Sequence, residues 1–364
     1  MPIKSICFIN SSRFWGGGEK WHFDNACYLS QKGYQVTVIT NVKSKLYEKL
    51  ITQKDVNLKQ INISNLSFLN PFCIIKLIRL LKKTNTAKII INLPSDLKII
   101  GVASLFTKIN TIIYRRGSAI PIKNSFTNKL LFSKVVTHLI VNSLATKKTV
   151  LQNNKNLFPE GKIKLIYNGI DINAYTQQEI TIDKKDNKEI ILGHLGRFSA
   201  EKNQSFLIHV ASELRKNNIP FRMILGGNGP TFDEISRIIE DEKLNEHIQL
   251  IGFVENIPQF MQSIDVFLLP SLWEGFGYVS IEAMICEKPV IAFNVASNPE
   301  IIVNNKTGYL TKINDVQAFT EKIHSFYHYP EKIKEMGHEG RSRVLKHFNI
   351  LNSFTQLENY LNQL

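Results

Sequence analysis

Two cations and two carboxylates stand out by type and spacing. Arg197 and Lys202 lie in Gly196-Arg197-Phe198-Ser199-Ala200-Glu201-Lys202-Asn203, between a strand pattern and a helix pattern. A guanidinium fork and an ammonium point charge can together neutralise a diphosphate. Two solvated loop cations are the plain alternative. Glu274 and Glu282 bracket Glu274-Gly275-Phe276-Gly277-Tyr278-Val279-Ser280-Ile281-Glu282, which follows the apolar run Val266–Leu269. Its glycines free the backbone to present N–H groups at a helix start. Two carboxylates so placed can hold two hydroxyl-bearing parts of one ligand. A helix-start carboxylate plus an exposed helical Glu is the plain alternative.

Three further turns and two histidines belong to the same inventory. Gly16-Gly17-Gly18-Glu19 opens a helix after the first strand pattern, without the spacing GxGxxG. It suits close approach of a phosphate or a sugar, or a flexible strand-to-helix turn. Asn168-Gly169-Ile170-Asp171 reads as a turn with a cap residue, and Gly226-Gly227-Asn228-Gly229-Pro230 as another turn. His194, inside a strand pattern, reads as a satisfied core residue. His22 stands on the first helix near the glycine loop.

Short β-branched runs alternate with helical patterns along the chain. The strand patterns are Ile3–Ile9, Tyr34–Thr40, Leu58–Ile63, Lys88–Leu93, Thr111–Arg115, His138–Asn142 and Ile163–Tyr167, then Ile190–Leu195, Phe221–Leu225, Ile248–Ile251, Val266–Leu269 and Val290–Phe293. Helical patterns between them include Glu19–Lys32, Phe72–Lys83 and Ser143–Gln152. The stripe Phe206, Leu207, Val210, Ala211, Leu214 marks a helix after Ile190–Leu195. Near-continuous apolar strands separated by helices predict buried parallel strands in βαβ units, and two successive sets predict two doubly wound domains. The polar stretch Thr176–Lys188 reads as the connection. The expected division is a first domain over 1–170, a linker over 171–188 and a second domain over 189–347, with 348–364 crossing back to the first.

The 364 residues suit two domains. Residues 1–170 hold 26 Lys and Arg against 6 Asp and Glu, and residues 171–364 hold 19 against 25. The basic half should attract an anionic partner. Cys7, Cys27, Cys73 and Cys286 form no CxxC pair and no disulfide framework, so a reducing cytoplasm is expected. Ile6–Ile9 is too short for a signal-peptide core, and no run nears the roughly 20 apolar residues of a bilayer span. The segment Pro71–Lys83 combines apolar and basic residues. It suits a lipid interface, or a surface helix with one buried side.

Taken in order, these pieces resemble the retaining glycosyltransferases of the GT-B fold usually called family 4. The order is a glycine-rich loop with a Glu, NGID, GRxxxEKN, GGxGP, GFV, LPSxxEGFGxxxxEAM, a P-V-I-A strand and NxxTGYL. The resemblance covers nearly the whole chain and is strongest from Tyr167 to Leu310. It implies two Rossmann-like domains facing across a cleft and a UDP-, GDP- or ADP-sugar donor used without a metal ion. Arg197 and Lys202 would hold the diphosphate and stabilise charge on the leaving nucleotide. Glu274 with Gly275, Phe276 and Gly277 would hold the transferred sugar, and Glu282 the ribose. Gly252, Phe253 and Val254 would lie beside the base. Gly16, Gly17 and Gly18 would close on the diphosphate, and Asn168, Gly169 and Asp171 would sit near the cleft. The sequence departs from the pattern at Ile113-Tyr114-Arg115-Arg116-Gly117-Ser118, where many relatives place a His. Arg115 and Arg116 are the nearest candidates there for contact with donor or acceptor, with His22 a further candidate near the cleft. The leaving phosphate itself can take the acceptor proton in a front-face retaining reaction.

The implied acceptor is a glycan or lipid-linked glycan of cell-surface polysaccharide or lipopolysaccharide synthesis. The basic half would meet the inner face of the cytoplasmic membrane. Two alternatives stand beside this reading. One is a nucleotide-sugar 2-epimerase on the same fold. The other is a non-enzymatic nucleic-acid binder, against which stands the absence of a helix-turn-helix, zinc-finger or RNP pattern. A nicotinamide site is opposed by the missing GxGxxG and by Thr40 and Asn41 at the end of the second strand.

Overall fold

The computed structural model describes residues 5–176 and 189–364. The greater part of the expected linker, 177–188, lies outside the described residues, as do the first two positions of the first strand pattern, Ile3 and Lys4. The chain forms two compact units, Met1–Tyr167 with Ser353–Leu364, and Asn168–Asn352.

Strands β1 (Ser5–Asn10), β2 (Gln35–Thr40), β3 (Asn57–Gln60), β4 (Lys88–Ile91), β5 (Thr111–Arg116), β6 (His138–Val141) and β7 (Ile163–Leu165) make the first sheet. All pair in parallel, in the order β3-β2-β1-β4-β5-β6-β7. Successive side chains on a strand point to opposite faces, and here both faces are covered by helices. Phe8, Val38, Ile90 and Ile113 fill one core, while Ile9, Ile39, Ile91 and Tyr114 fill the other. That is why the strands read as unbroken apolar runs. The helix Pro71–Lys83 starts where Asn70 accepts from the amides of Phe72 and Cys73 at 3.0 and 3.3 Å, with Pro71 at its first position. It buries Leu77 and Leu81 and leaves Phe72 82% exposed, so it is a one-sided surface helix.

Strands β8 (Ile190–Leu195), β9 (Phe221–Gly226), β10 (Ile248–Gly252), β11 (Val266–Leu269), β12 (Val290–Phe293) and β13 (Gly308–Thr311) make the second sheet, in the order β10-β9-β8-β11-β12-β13. The helix Gln204–Lys216 buries the predicted stripe, and Phe206 meets Phe293 and Phe319 edge-on at 4.8 and 5.2 Å.

Both unit boundaries differ from the expected ones for a packing reason. The first unit closes at Tyr167, not Ile170. Ile170 exchanges backbone hydrogen bonds with Phe348 and Ile350 at 3.0 Å each, which ties it to the second unit. The return begins at Ser353 and not at Phe348, whose ring packs on Phe276 at 5.7 Å and under the Arg343 guanidinium of the second unit. The final helix, Ile350–Gln363, buries Leu357 and Leu361 in the first unit. There Tyr28 stacks on Phe354 at 4.4 Å and donates to Glu358 at 2.9 Å.

Candidate active site

Each sheet reverses its strand order once, between β1 and β4 and between β8 and β11. Open α/β sheets bind ligands beyond the strand C-termini at such a point. The segments leaving β8 and β11 are the ones that carry the expected cations and carboxylates. Lys202 Nζ meets Glu274 Oε1 at 2.5 Å, with the two side chains 21% and 10% exposed. The amide of Leu272 donates to the Glu201 carbonyl at 2.9 Å and joins the two segments. Arg197 lies exposed at the start of the first of them.

The loop holding Arg197 is fixed from beneath by two residues. The ring of His194 is fully buried, with Nδ1 2.9 Å from the Leu268 carbonyl and Nε2 3.2 Å from Gln204 Nε2. The same Gln204 amide donates to the Arg197 carbonyl at 2.9 Å. Burial pushes His194 down to about 4. A neutral ring donates from Nδ1 and accepts at Nε2, which matches both contacts. His194 is therefore a satisfied core residue, as its place in the strand predicted, and it also supports the site. Gln204 carried no such signal beyond heading the apolar stripe of its helix.

The turn after β9 buttresses the same loop. The amide of Phe198 donates to the Asn228 carbonyl and that of Gly196 to the Gly226 carbonyl, both at 3.0 Å. A Cβ on Gly227 would stand 1.9 Å from the Gly196 carbonyl oxygen, and one on Gly229 would stand 2.1 Å from that of Phe198. These glycines serve backbone against backbone. Beyond them Gly252 takes φ +68° and Phe253 is 70% exposed. Val254 packs toward Gly226.

Gly275, Phe276 and Gly277 form the turn into the helix Tyr278–Ile285, with Gly277 in the left-handed region at φ +76°. Ser297 donates to the Glu274 carbonyl at 3.2 Å. Glu282 is buried, and its Oε1 accepts from the Tyr175 hydroxyl at 3.0 Å. Burial, and then the Glu282 charge, pushes the Tyr175 hydroxyl far up. Tyr175 went unnoticed in the sequence because 107 residues separate it from its partner. Asn168 is buried. A Cβ on Gly169 would lie 2.5 Å from Ile350 Cα, and Asp171 caps the helix Asn173–Thr176 by accepting from the Asn173 amide at 3.0 Å. The NGID segment is thus the cap-and-turn that its residues suggested.

In the first unit, Gly16 is the extended N-cap of the helix Gly17–Gln31. Glu19 curls back and accepts from Asn10 at 3.1 Å, and a Cβ on Gly18 would lie 2.6 Å from Asn92. Arg115 is 2% exposed, donates to Asn92 at 3.1 Å and lies over the Trp21 ring at 4.9 Å. Arg116 donates to the Ile120 carbonyl at 2.5 Å. His22 is fully buried against Phe8 and Trp21, with no hydrogen-bond partner at either nitrogen. Burial, then Arg115, holds it well below its usual range. A cavity of about 570 Å³ opens beyond β4 and β5, lined by Gly18, Asn92, Arg115 and Arg116 among others, and not by His22.

Comparison with known proteins follows this division. Residues 15–174 match the model described as Glycosyltransferase Family 4, and residues 176–343 match that of Glycosyl transferases group 1. A 41.2 kDa protein of the Klebsiella pneumoniae cps region is 30% identical over 54% of this chain and 55% of its own length. The capsular polysaccharide biosynthesis glycosyltransferase CapM of Staphylococcus aureus is 28% identical over 62% of this chain and 61% of its own. The chain spans about half the length of the curated relatives it matches. The crystal structure of Anabaena HepE with UDP and glucose superposes at a TM-score of 0.85, with 22% identity, over 99% of both chains.

Proposed function

Because the chain belongs to the family 4 glycosyltransferases of the GT-B fold, we propose that it moves a hexose-type sugar, with retention, from a nucleoside-diphosphate sugar to an acceptor hydroxyl in cell-surface polysaccharide or lipopolysaccharide synthesis. The observation that carries this reading is the Lys202–Glu274 pair, on the segment that also carries Arg197, set at the strand-order reversal of the second sheet. Arg197 and Lys202 hold the diphosphate and stabilise the charge that builds on it as the glycosidic bond breaks. These two charges do the work a divalent metal does elsewhere. Glu274 and the Gly275–Gly277 turn receive sugar hydroxyls, Glu282 the ribose, and the exposed Phe253 lies by the base. The leaving phosphate accepts the acceptor's proton, so no protein base is required.

The acceptor is a glycan or lipid-linked glycan, and it falls to the first unit. Among the described residues no helix is long and apolar enough to cross a membrane. The helices that start at Pro71, Pro94 and Phe126 pack side by side. Phe72, Leu105, Phe106 and Phe126 are exposed on or just beyond these helices, as are Lys76, Arg79, Lys108 and Lys129. Exposed apolar and basic residues of this kind suit an anionic membrane surface.

The test is incubation with UDP-, GDP- and ADP-sugars and lipid-linked or soluble glycan acceptors, in EDTA, read by NMR at the new anomeric centre. Transfer with retained configuration is the expected result. Inversion, or epimerisation of the free donor without transfer, would overturn the proposal.

A further inference from the structure

Two histidines meet on the outside of the second unit. His324 and His328 stand one turn apart on the helix Val316–His328, and both are exposed. Residues four apart on a helix share a face. Their Nε2 atoms are 3.0 Å apart. Their ring centroids are 4.1 Å apart, closer than rings meeting head-on through those nitrogens could come. The two nitrogens therefore do not face each other along one line, and a proton shared between them is poorly held. Among the described residues neither Nε2 has another hydrogen-bond partner.

The bond from an imidazole nitrogen to a divalent transition metal is about 2.0–2.1 Å. Two such bonds at a right angle set the nitrogens about 2.9 Å apart, and at the tetrahedral angle about 3.3 Å. The 3.0 Å found here fits the right angle. Right-angled nitrogen ligands suit tetragonal or octahedral Cu²⁺ and Ni²⁺ ahead of tetrahedral Zn²⁺, and the affinity order of the divalent ions also puts Cu²⁺ first. Both Nε2 lone pairs become available when each ring carries its proton on Nδ1, a shift that an exposed neutral ring makes through water with no change of charge. The surroundings favour a cation. His328 lies in the last turn of its helix, where the free carbonyls carry partial negative charge. His324 lines a groove together with Glu213 and Glu321. The neighbouring Lys332 is turned to Ser325 Oγ at 3.1 Å and to the Tyr329 ring at 4.4 Å. Among the described residues no group of three or more His, Cys, Asp and Glu is placed to hold a metal ion, so the pair supplies two ligands and water fills the other positions.

We propose that His324 and His328 form an open two-histidine site for a late first-row transition metal ion, Cu²⁺ before Ni²⁺ and Zn²⁺. The site stands apart from the donor residues. Asn203, next to Lys202, donates to Asn314 at 3.0 Å just before this helix begins. At about 1.5 Å per residue the histidines lie roughly 15–20 Å further along. The ion therefore takes no part in the transfer proposed above, and the site does not rest on that reading.

The experiment uses the full chain, freed of metal with EDTA and then of EDTA, and titrates it with Cu²⁺, Ni²⁺, Zn²⁺ and Mg²⁺. Isothermal titration should show a tightest site of one Cu²⁺ per chain, at least tenfold tighter than Zn²⁺, with no binding of Mg²⁺. Electron paramagnetic resonance of that Cu²⁺ should carry coupling to two imidazole nitrogens. His324→Gln and His328→Gln should each weaken Cu²⁺ at least tenfold and leave coupling to one nitrogen. His338→Gln, at an exposed position of the following helix Glu331–His347, should change neither. Thermal unfolding without metal should match the parent in all three variants. If a variant fails to fold, the coupling pattern of the parent still decides the ligand set. No Cu²⁺ binding at micromolar concentration, coupling to any number of nitrogens other than two, or unchanged affinity in both variants would overturn the site. Zn²⁺ binding tighter than Cu²⁺ would overturn the right-angled geometry.

Discussion

Replacing Gln204 by Leu tests whether the loop beneath Arg197 is a working part of the site. One amide group serves two acceptors, the half-buried Arg197 carbonyl at 2.9 Å and the buried His194 Nε2 at 3.2 Å. Leu keeps the bulk and removes both contacts. The Arg197 carbonyl retains only Ser199 Oγ at 3.3 Å, and His194 Nε2 is left alone. A buried polar atom without a partner costs about 1–3 kcal/mol. Against this, Gln204 Oε1 is itself buried without a partner, so its removal relieves a cost of the same order. The net loss is about 1–2 kcal/mol, a fall of a few degrees in Tm for a unit of this size. The effect on rate is larger, because a misplacement of about 1 Å in a catalytic group can cost about 100-fold. The assay is release of nucleoside diphosphate from the donor sugar, with thermal unfolding run in parallel. We expect kcat to fall roughly 10- to 100-fold, well beyond the change in KM. A variant with lowered Tm and kcat within about twofold of the parent would show that these contacts serve stability alone.

Three further outcomes follow from the same geometry. Gly229→Ala forces a Cβ to within 2.1 Å of the Phe198 carbonyl oxygen; it should cost about 1–3 kcal/mol by urea unfolding and slow turnover by shifting the Arg197 loop. Tyr175→Phe removes the hydroxyl that donates to Glu282 at 3.0 Å. Hydrogen bonds to charged groups contribute about 1.5–3 kcal/mol, so nucleotide affinity should drop about tenfold if the bond holds Glu282 in place for the ribose, and an unchanged Kd would remove Tyr175 from the site. The third concerns pH: His194 is pushed down to about 4 from its ordinary 6.5 by burial. A group with a lowered folded pKa stabilises fully above 6.5, and the contribution, about 3 kcal/mol, is lost as pH falls through 4. His194→Gln should flatten this part of the pH dependence of unfolding.

The strands were legible because the first sheet is buried on both faces, which leaves apolar runs such as Ile89–Ile91 with no polar alternation to obscure them. Ile190–Leu195, Val266–Leu269 and Val290–Phe293 match the sequence patterns end to end. Strand β13 did not show itself. It has four residues and opens on Gly308, whose Cβ would stand 2.1 Å from the Val290 carbonyl oxygen, so its signature is a close approach and not a pattern. The charged residues of the candidate site stood out in the sequence because a short motif holds each of them. Their supports were not. Gln204 meets a ring ten residues away through a strand-to-helix turn, Tyr175 reaches Glu282 across most of a unit, and Arg115 folds back onto Asn92 and Trp21. Spacing along the chain carries no record of such pairings. The GGNGP turn shows the reverse case, where a motif legible as a turn proved to need its glycines for the contact with Gly196 and Phe198.

Arg197 and Lys202 are proposed to hold a nucleoside diphosphate in the second unit. The most direct test is the dissociation constant of UDP, GDP and ADP in EDTA for the parent chain, Arg197→Ala and Lys202→Ala. One nucleotide should bind the parent without metal, and each cation variant should lose at least tenfold while still folding. Binding of none of the three, or equal affinity in the parent and both variants, would mean that Arg197 and Lys202 do not hold the diphosphate.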